Sequence, residues 1–236
     1  MPKRPFSFLP FGYGAAFLAM VLLIPLALLA WHLAERRVSP LDAPASTGGS
    51  LASFSAGPPW LYGQAGARYT VTLYADLECP YCKAYFPILK SWIDSHPETV
   101  LEWSHLPLPS HEPTATELAL LAECAGEAGG HSAFWNVATW IYQHTRSDGQ
   151  GLPPGMSYPG VTRAVEACTA SDDAKSVVRA QVQQASSEGI DATPSVKLHD
   201  SKTGKSLRLS GLLDGDALLS ALDLISTEDA STLASQ

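Results

Sequence analysis

Basic residues are scarce in this 236-residue chain, which has 15 lysines and arginines against 23 aspartates and glutamates and a net charge of −8. The only adjacent basic pairs are Lys3-Arg4 and Arg36-Arg37. Proteins that bind nucleic acid need a basic patch or stripe to meet the phosphates. The charge therefore argues against nucleic-acid binding, while the 46% hydrophobic content indicates a folded domain.

Motifs for metals and phosphates are missing as well. The seven histidines show no metal-ligand spacing, and neither a glycine-rich phosphate loop nor a serine-nucleophile motif occurs. We interpret His105 and His111 as surface or loop-packing residues. We accordingly predict no metal and no cofactor.

Charge is absent from one long apolar run, residues 11–31. A helix of that length spans about 31 Å, close to the thickness of the hydrocarbon core of a bilayer. A cleaved signal peptide is the alternative, but its apolar region is shorter, roughly 7–15 residues. We therefore predict an uncleaved transmembrane anchor over 11–31. The N-terminal amine slightly favours a cytoplasmic position for residues 1–10.

The region after this run has little regular pattern. Residues 32–59 are rich in serine, alanine, proline and glycine near their end and have no apolar period, which is typical of a flexible linker. We place a folded domain at 60–227 and a disordered tail at 228–236.

Cysteine is rare, and its placement is informative. Two of the four cysteines form Cys79-Pro80-Tyr81-Cys82, between a strand-like run and a helix-like run. A thiol at a helix start lies near unpaired N–H groups and the positive end of the dipole, which stabilise its thiolate. Such a thiolate attacks disulfides and also leaves readily, so the motif predicts thiol–disulfide exchange. Zinc sites also use this spacing, but no partner pair at zinc spacing is present.

Hydrophobic periodicity predicts strands at Arg68–Ala75 and Val100–Leu106 and a later hairpin of Ser195–His199 with Ser206–Leu209. The predicted helices are Pro80–Ser95, Pro113–Glu127, Ser132–His144, Val161–Ala170, Asp172–Glu188 and Asp214–Ile225. This order predicts an α/β fold in which helices cover both faces of a mixed sheet.

Three segments resemble the DsbA-type family of envelope thiol–disulfide oxidoreductases. Tyr74–Cys82 is similar to the active-site stretch of that family, Leu121–Ala125 with Ala133–Trp135 to its helical insertion, and Gly189–Pro194 to its cis-proline loop. The resemblance implies a thioredoxin-like mixed sheet with a helical insertion. With the run at 11–31, the predicted architecture is that domain preceded by one N-terminal transmembrane helix.

The resemblance also implies roles for individual residues. Cys79 is expected to be the exposed nucleophile, and Cys82 the thiol that resolves the mixed disulfide. Pro80-Tyr81 would set the helix start and tune the thiolate. Thr193-Pro194 would lie against the cysteine pair with a cis peptide bond, the alternative being an ordinary trans turn.

The other two cysteines, Cys124 and Cys168, flank the helical block. Relatives often carry a structural disulfide there, which makes this pair a candidate. Two buried free thiols are the alternative, and electron exchange with the Cys79 pair is a third possibility.

Two carboxylates precede the first cysteine. Glu78 is expected to raise the pKa of the neighbouring thiol by charge repulsion. Asp76 could relay a proton to Cys82, but we interpret it as a solvated carboxylate.

The direction of electron flow stays open at this point. Pro-Tyr between the cysteines and threonine before the proline look more like isomerase and reductase relatives, whereas the insertion with a second cysteine pair looks more like monomeric oxidases. We predict a monomeric dithiol oxidase that forms or exchanges disulfides in envelope proteins. It would be anchored once in a bacterial inner membrane with its catalytic domain in the periplasm, because four cysteines suit an oxidising compartment. Its partners would be protein thiols and disulfides, a membrane or soluble redox partner, and the lipid bilayer. The alternatives are a disulfide isomerase or reductase of the same fold, and a tethered binding or assembly module without turnover.

Overall fold

The computed structural model describes residues 54–227. The predicted segments 1–10, 11–31 and 228–236, and most of the predicted linker 32–59, lie outside the described residues. Within 54–227, no helix is both long enough and apolar enough to cross a bilayer.

The end of the predicted linker packs on the folded domain. The ring of Phe54 lies 5.1 Å from the ring of His131. The carbonyl oxygen of Ser55 lies 2.9 Å from His131 Nε2. These contacts place residues from Phe54 onward with the domain, ahead of the boundary at Trp60.

Five strands form one mixed sheet in the order β1-β3-β2-β4-β5. Strands β2 and β3 are parallel, and the other neighbours are antiparallel. A parallel pair needs a long crossover, which the first helix supplies. The strands are β1 Leu61–Gly63, β2 Tyr69–Ala75, β3 Thr99–His105, β4 Ser195–Asp200 and β5 Ser206–Ser210. The predicted mixed sheet is confirmed; the short β1 was missed because three residues are too few to show a period.

The helices are α1 Pro80–Asp94, α2 Thr114–His144, α3 Arg163–Ala170, α4 Asp172–Ser187 and α5 Gly215–Ser226, with a short 3₁₀ turn at Pro109–His111. The two helices predicted at 113–127 and 132–144 follow one another directly within α2. They meet at Gly130, which has a φ of 74° and a ψ of −168°. Glycine adopts this backbone without steric cost, so the glycine pair marks the bend.

Apolar side chains form two main clusters. The larger one lies between the sheet, α1, α5 and the second half of α2. The smaller one joins the first half of α2 to α3 and α4, and contains Ala119, Leu120, Cys124, Val165, Ala174 and Val178. Thr162 and Ser171 cap α3 and α4 by accepting the N–H groups of Val165 and Ala174. The helical insertion is therefore packed around its own small core.

Candidate active site

The Cys79–Cys82 pair lies at the start of α1, just beyond the end of the central strand β2. Cys79 is the N-cap residue, with extended backbone and no side-chain cap bond, and Pro80 is the first helical residue. Proline costs nothing there, because the first N–H groups of a helix have no partner within it. Both cysteines are free thiols.

The exposed fraction of the side chain does not distinguish the two thiols. Cys79 and Cys82 are each 2% exposed. The expectation of an exposed Cys79 is therefore wrong, because this side chain packs against the loop before β4. Its Sγ lies 3.5 Å from the carbonyl oxygen of Thr193.

The pKa values do distinguish them, because hydrogen bonds dominate at Cys79 and burial dominates at Cys82. The hydrogen bond from the Cys82 thiol is the largest cause that lowers the pKa of Cys79 from 9.0 to about 6, and Thr193 and the N–H groups of Cys82 and Tyr81 add to it against the effect of burial. Burial raises the pKa of Cys82 far above its usual range, and the adjacent Cys79 raises it further. Near neutral pH one sulfur is a thiolate and the other holds a proton.

The Thr193–Pro194 peptide bond is cis. The carbonyl of Pro194 accepts the N–H of Gly211 at 2.8 Å, which ties this loop to the end of β5. The Thr193 hydroxyl is buried and makes no hydrogen bond in the structure. It contributes to lowering the pKa of both Cys79 and Cys82, so it is a donor available to either sulfur.

The two residues between the cysteines point outward. Tyr81 is 63% exposed, and Pro80 is exposed as well. They form exposed surface next to the two buried sulfurs.

The interpretation of Asp76 as a solvated carboxylate is wrong, because this residue is 1% exposed. Its Oδ1 accepts the N–H of Glu78 at 2.7 Å, and its Oδ2 accepts the N–H of Leu108 at 2.8 Å. His111 Nδ1 also lies 2.8 Å from Oδ2. Asp76 thereby fixes the loop between β2 and α1 against the loop that follows β3.

Glu78 is also buried, and its charge is met by three donors. Oε1 accepts the hydroxyl of Thr145. Oε2 accepts the N–H groups of Gly149 at 3.0 Å and Gly151 at 2.9 Å. Contrary to expectation, Glu78 is not among the principal causes of the shift in the pKa of Cys79. Its carboxylate instead holds the loop after α2 beside the active site.

His105 is fully buried, which corrects its interpretation as a surface or loop residue. Its Nδ1 accepts the indole N–H of Trp103 at 2.9 Å, and its Nε2 lies 3.5 Å from the buried carboxylate of Glu123. The alternation along the strand could have indicated this burial. His105 lies on the same face of β3 as Leu101 and Trp103, which face the core.

Cys124 and Cys168 are joined by a disulfide with an S–S distance of 1.95 Å. The bond connects α2 to α3 within the smaller apolar cluster. Within residues 54–227, no group of three or more histidine, cysteine, aspartate and glutamate side chains is arranged to hold a metal ion.

Comparison with known proteins assigns the class. Residues 55–214 match the family model described as thioredoxin. The crystal structure of Pseudomonas aeruginosa DsbA2 is 42% identical, with a TM-score of 0.69, and the alignment covers 74% of this chain and 97% of that chain. A thioredoxin-like oxidoreductase from Silicibacter pomeroyi DSS-3 is 18% identical over 72% of this chain and 92% of that chain, and its TM-score of 0.55 shows the shared fold alone.

The mixed sheet with its helical insertion is thus that of a thioredoxin-class protein. The chain belongs to the DsbA-type thioredoxin-like family and is a thiol–disulfide oxidoreductase. The predicted resemblance is confirmed.

One curated relative matches a shorter segment. The Na(+)/H(+) antiporter NhaA 3 of Salinispora tropica is 37% identical over 78 residues, which are 33% of this chain and 12% of that protein. The chain therefore spans a small part of the length of the antiporter, and the match does not support a transport activity.

Proposed function

We propose that Cys79 and Cys82 are the redox pair of this oxidoreductase and that it forms or exchanges disulfides in proteins outside the cytoplasm. The observation that carries the proposal is the contrast between the two thiols: the pKa of Cys79 is about 6, whereas that of Cys82 is far above its usual range. A nucleophile that is ionised near neutral pH, beside a thiol that keeps its proton, is what stepwise exchange requires.

The exchange follows from these states. In the oxidising direction, a client thiolate attacks the Cys79 sulfur of the Cys79–Cys82 disulfide, and Cys82 leaves as a thiolate that takes up a proton. A second client thiolate then attacks the client sulfur of the mixed disulfide, and Cys79 leaves. The client loses two electrons to form its disulfide, and the cysteine pair gains them.

Stabilising the Cys79 thiolate favours the reduced pair, because only the reduced pair contains that charge. This makes the pair a stronger oxidant and supports an oxidase over the isomerase or reductase alternative. Equilibration with glutathione buffers measures the reduction potential of the cysteine pair. A value of about −120 mV marks a strong oxidant, and a value of about −270 mV marks a reductant.

The location is a proposal from the sequence. The charge-free run at 11–31 supports a single-pass anchor, and residues 32–53 support a tether that lets the domain reach clients near the membrane. The disulfide between Cys124 and Cys168 suits the periplasm, where such bonds persist. Membrane fractionation, combined with protease access to the domain in spheroplasts, tests both points. Recovery of the full chain in the soluble cytoplasmic fraction would overturn them.

Trapping tests the redox pair itself. Cys82→Ala removes the resolving thiol, so mixed disulfides between Cys79 and client proteins should accumulate and disappear on reduction. Cys79→Ala is the matched control and should trap no client. The proposal fails if Cys82→Ala yields no adducts in cells in which the wild-type protein is oxidised and reduced.

A further inference from the structure

Tyr142, in the second half of α2, reaches the active site from the helical insertion. The residue is 4% exposed. Its hydroxyl donates to the carbonyl oxygen of Asp76 at 3.0 Å. The same carbonyl accepts the N–H of Cys79 at 3.1 Å. The hydroxyl therefore lies at the loop that carries the cysteine pair, although it is far away in sequence.

The ring of Tyr142 is held in place by α1. Its centroid lies 5.0 Å from that of Phe86. Phe86 follows Cys82 by four residues, so the two share one face of the helix. This packing places the tyrosine ring beside the first turns of α1, which carry Cys82.

The hydroxyl keeps its proton when the sulfurs are charged. Burial is the largest cause that raises the pKa of Tyr142 well above its usual range; the charges of Cys82, Asp76 and Cys79 follow, and a hydrogen bond with Cys82 adds to them. Tyr142 can therefore donate to a thiolate at this position without itself ionising.

Cys82 needs such a donor. It must carry negative charge each time it attacks or leaves the Cys79 sulfur, and burial opposes that charge. The neighbouring cation is Lys83, and its ammonium group donates a hydrogen bond to the carbonyl oxygen of Thr145 at 2.7 Å instead of to Cys82. A backbone hydrogen bond from Asp76 and the Thr193 hydroxyl lower the pKa of Cys82, but burial outweighs them. The Thr193 hydroxyl is also available to Cys79.

We propose that the Tyr142 hydroxyl is a catalytic hydrogen-bond donor that stabilises the thiolate of Cys82. This inference rests on the proposed function of the cysteine pair. As Cys82 becomes charged, rotation about the C–O bond turns the hydrogen from the Asp76 carbonyl to the sulfur, where a charge-assisted bond is stronger. The carbonyl keeps the N–H of Cys79, so the rotation leaves no buried acceptor unpaired.

The step in which this matters is the release of a mixed disulfide. Cys82 loses its proton, and its sulfur attacks Cys79. The bond between Cys79 and the bound thiol breaks, and the leaving thiolate takes up a proton. One S–S bond forms and one breaks, so the step needs no further oxidant or reductant.

The test is Tyr142→Phe in the full chain, which removes the hydroxyl and keeps the ring. Reduced protein is mixed with oxidised glutathione, and acid-quenched samples are analysed by mass spectrometry. We expect capture of glutathione by Cys79 to change less than about twofold. Release by Cys82 should slow about tenfold or more, as expected for the loss of a hydrogen bond to a charged group, so the glutathionylated protein accumulates.

Tyr85→Phe is the matched control, because Tyr85 is another buried tyrosine whose hydroxyl has no hydrogen-bond partner in the structure. Its release rate should equal that of the wild type. A second variant, Phe86→Leu, keeps the Tyr142 hydroxyl but removes the ring that positions it, and should slow release by a smaller factor, about threefold.

The outcomes separate this inference from the function on which it rests. A wild-type release rate in Tyr142→Phe overturns the inference alone, whatever the rate in Phe86→Leu. So does equal slowing of capture and release, which would mark a general structural role. A wild-type protein that performs neither step overturns the proposed function and this inference with it.

Discussion

The two cysteine pairs of this chain have opposite surroundings. Cys79 and Cys82 are free thiols at a helix start, where backbone N–H groups and the Thr193 loop favour a thiolate. Cys124 and Cys168 are 44 residues apart and are already bonded, and the carboxylate of Glu127 lies 3.3 Å from the Cys168 sulfur. A carboxylate opposes the formation of a thiolate beside it. The neighbouring charges and donors therefore differ between the free pair and the bonded pair.

The largest effect is expected when the nucleophile is removed. Cys79→Ser should abolish thiol–disulfide exchange, by about a thousandfold or more, because a serine hydroxyl does not ionise at neutral pH or form disulfides. The measurement is catalysed oxidation of a reduced client peptide. The double variant Cys124→Ala/Cys168→Ala is the control and should retain most activity. A Cys79→Ser protein that kept its cellular function would favour a binding or assembly module without turnover.

The second prediction concerns stability at the other pair. Cys124→Ala/Cys168→Ala should lower the free energy of unfolding by roughly 4 kcal/mol, since the disulfide closes a long loop in the unfolded chain. Denaturant unfolding without reductant, with both proteins in a Cys79→Ala/Cys82→Ala background, measures the difference. A loss below about 1 kcal/mol would show that this bond does little to constrain the domain.

The third prediction compares one carboxylate near each pair. Glu78→Gln should lower the free energy of unfolding by about 1–3 kcal/mol, because a buried acceptor of three hydrogen bonds loses its charge and one of its acceptor atoms. Glu127→Gln is the matched control: it lies at the other pair on an exposed position, and we expect almost no change. Equal losses in the two variants would contradict the role assigned to Glu78.

The smallest effect is in the pH dependence of alkylation. Because the pKa of Cys79 is about 6, its rate of reaction with iodoacetamide should rise with pH up to about 6 and then level off. The rate of an ordinary thiol continues to rise up to its pKa of 9.0. The advantage at neutral pH should be only several-fold, because a thiolate of lower pKa is also less nucleophilic. Cys79→Ser supplies the baseline, and a midpoint above pH 8 would contradict the described hydrogen bonds.

The same shift makes stability depend on pH. Between pH 6 and 9 the folded reduced protein binds fewer protons at Cys79 than the unfolded chain does, because the pKa is lowered from 9.0 to about 6. The stability of the reduced protein should therefore rise with pH across this window, and the contribution is absent below it. The oxidised protein has no such thiol and is the internal control.

Local patterns in the chain were sufficient to predict most of the secondary structure and the class of the protein. The strand and helix periods led to most of the elements, and a cysteine pair at a strand–helix junction with a later Thr-Pro led to the oxidoreductase class. These signals depend on neighbouring residues, so no knowledge of packing was needed. The short strand β1 and the burial of His105 were missed because each depends on what the sheet brings beside it.

The states of the active-site groups could be decided only by the folded arrangement. In the sequence, Asp76 and Glu78 are two carboxylates close to the first cysteine. In the fold, each is buried and accepts hydrogen bonds from loops more than thirty residues away. Tyr142 reaches the Asp76 carbonyl beside the cysteine pair from the helical insertion, and the Thr193 carbonyl reaches the Cys79 sulfur from the loop before β4. A pKa depends on burial and on the donors within a few ångströms, and those neighbours are set by how distant segments pack together.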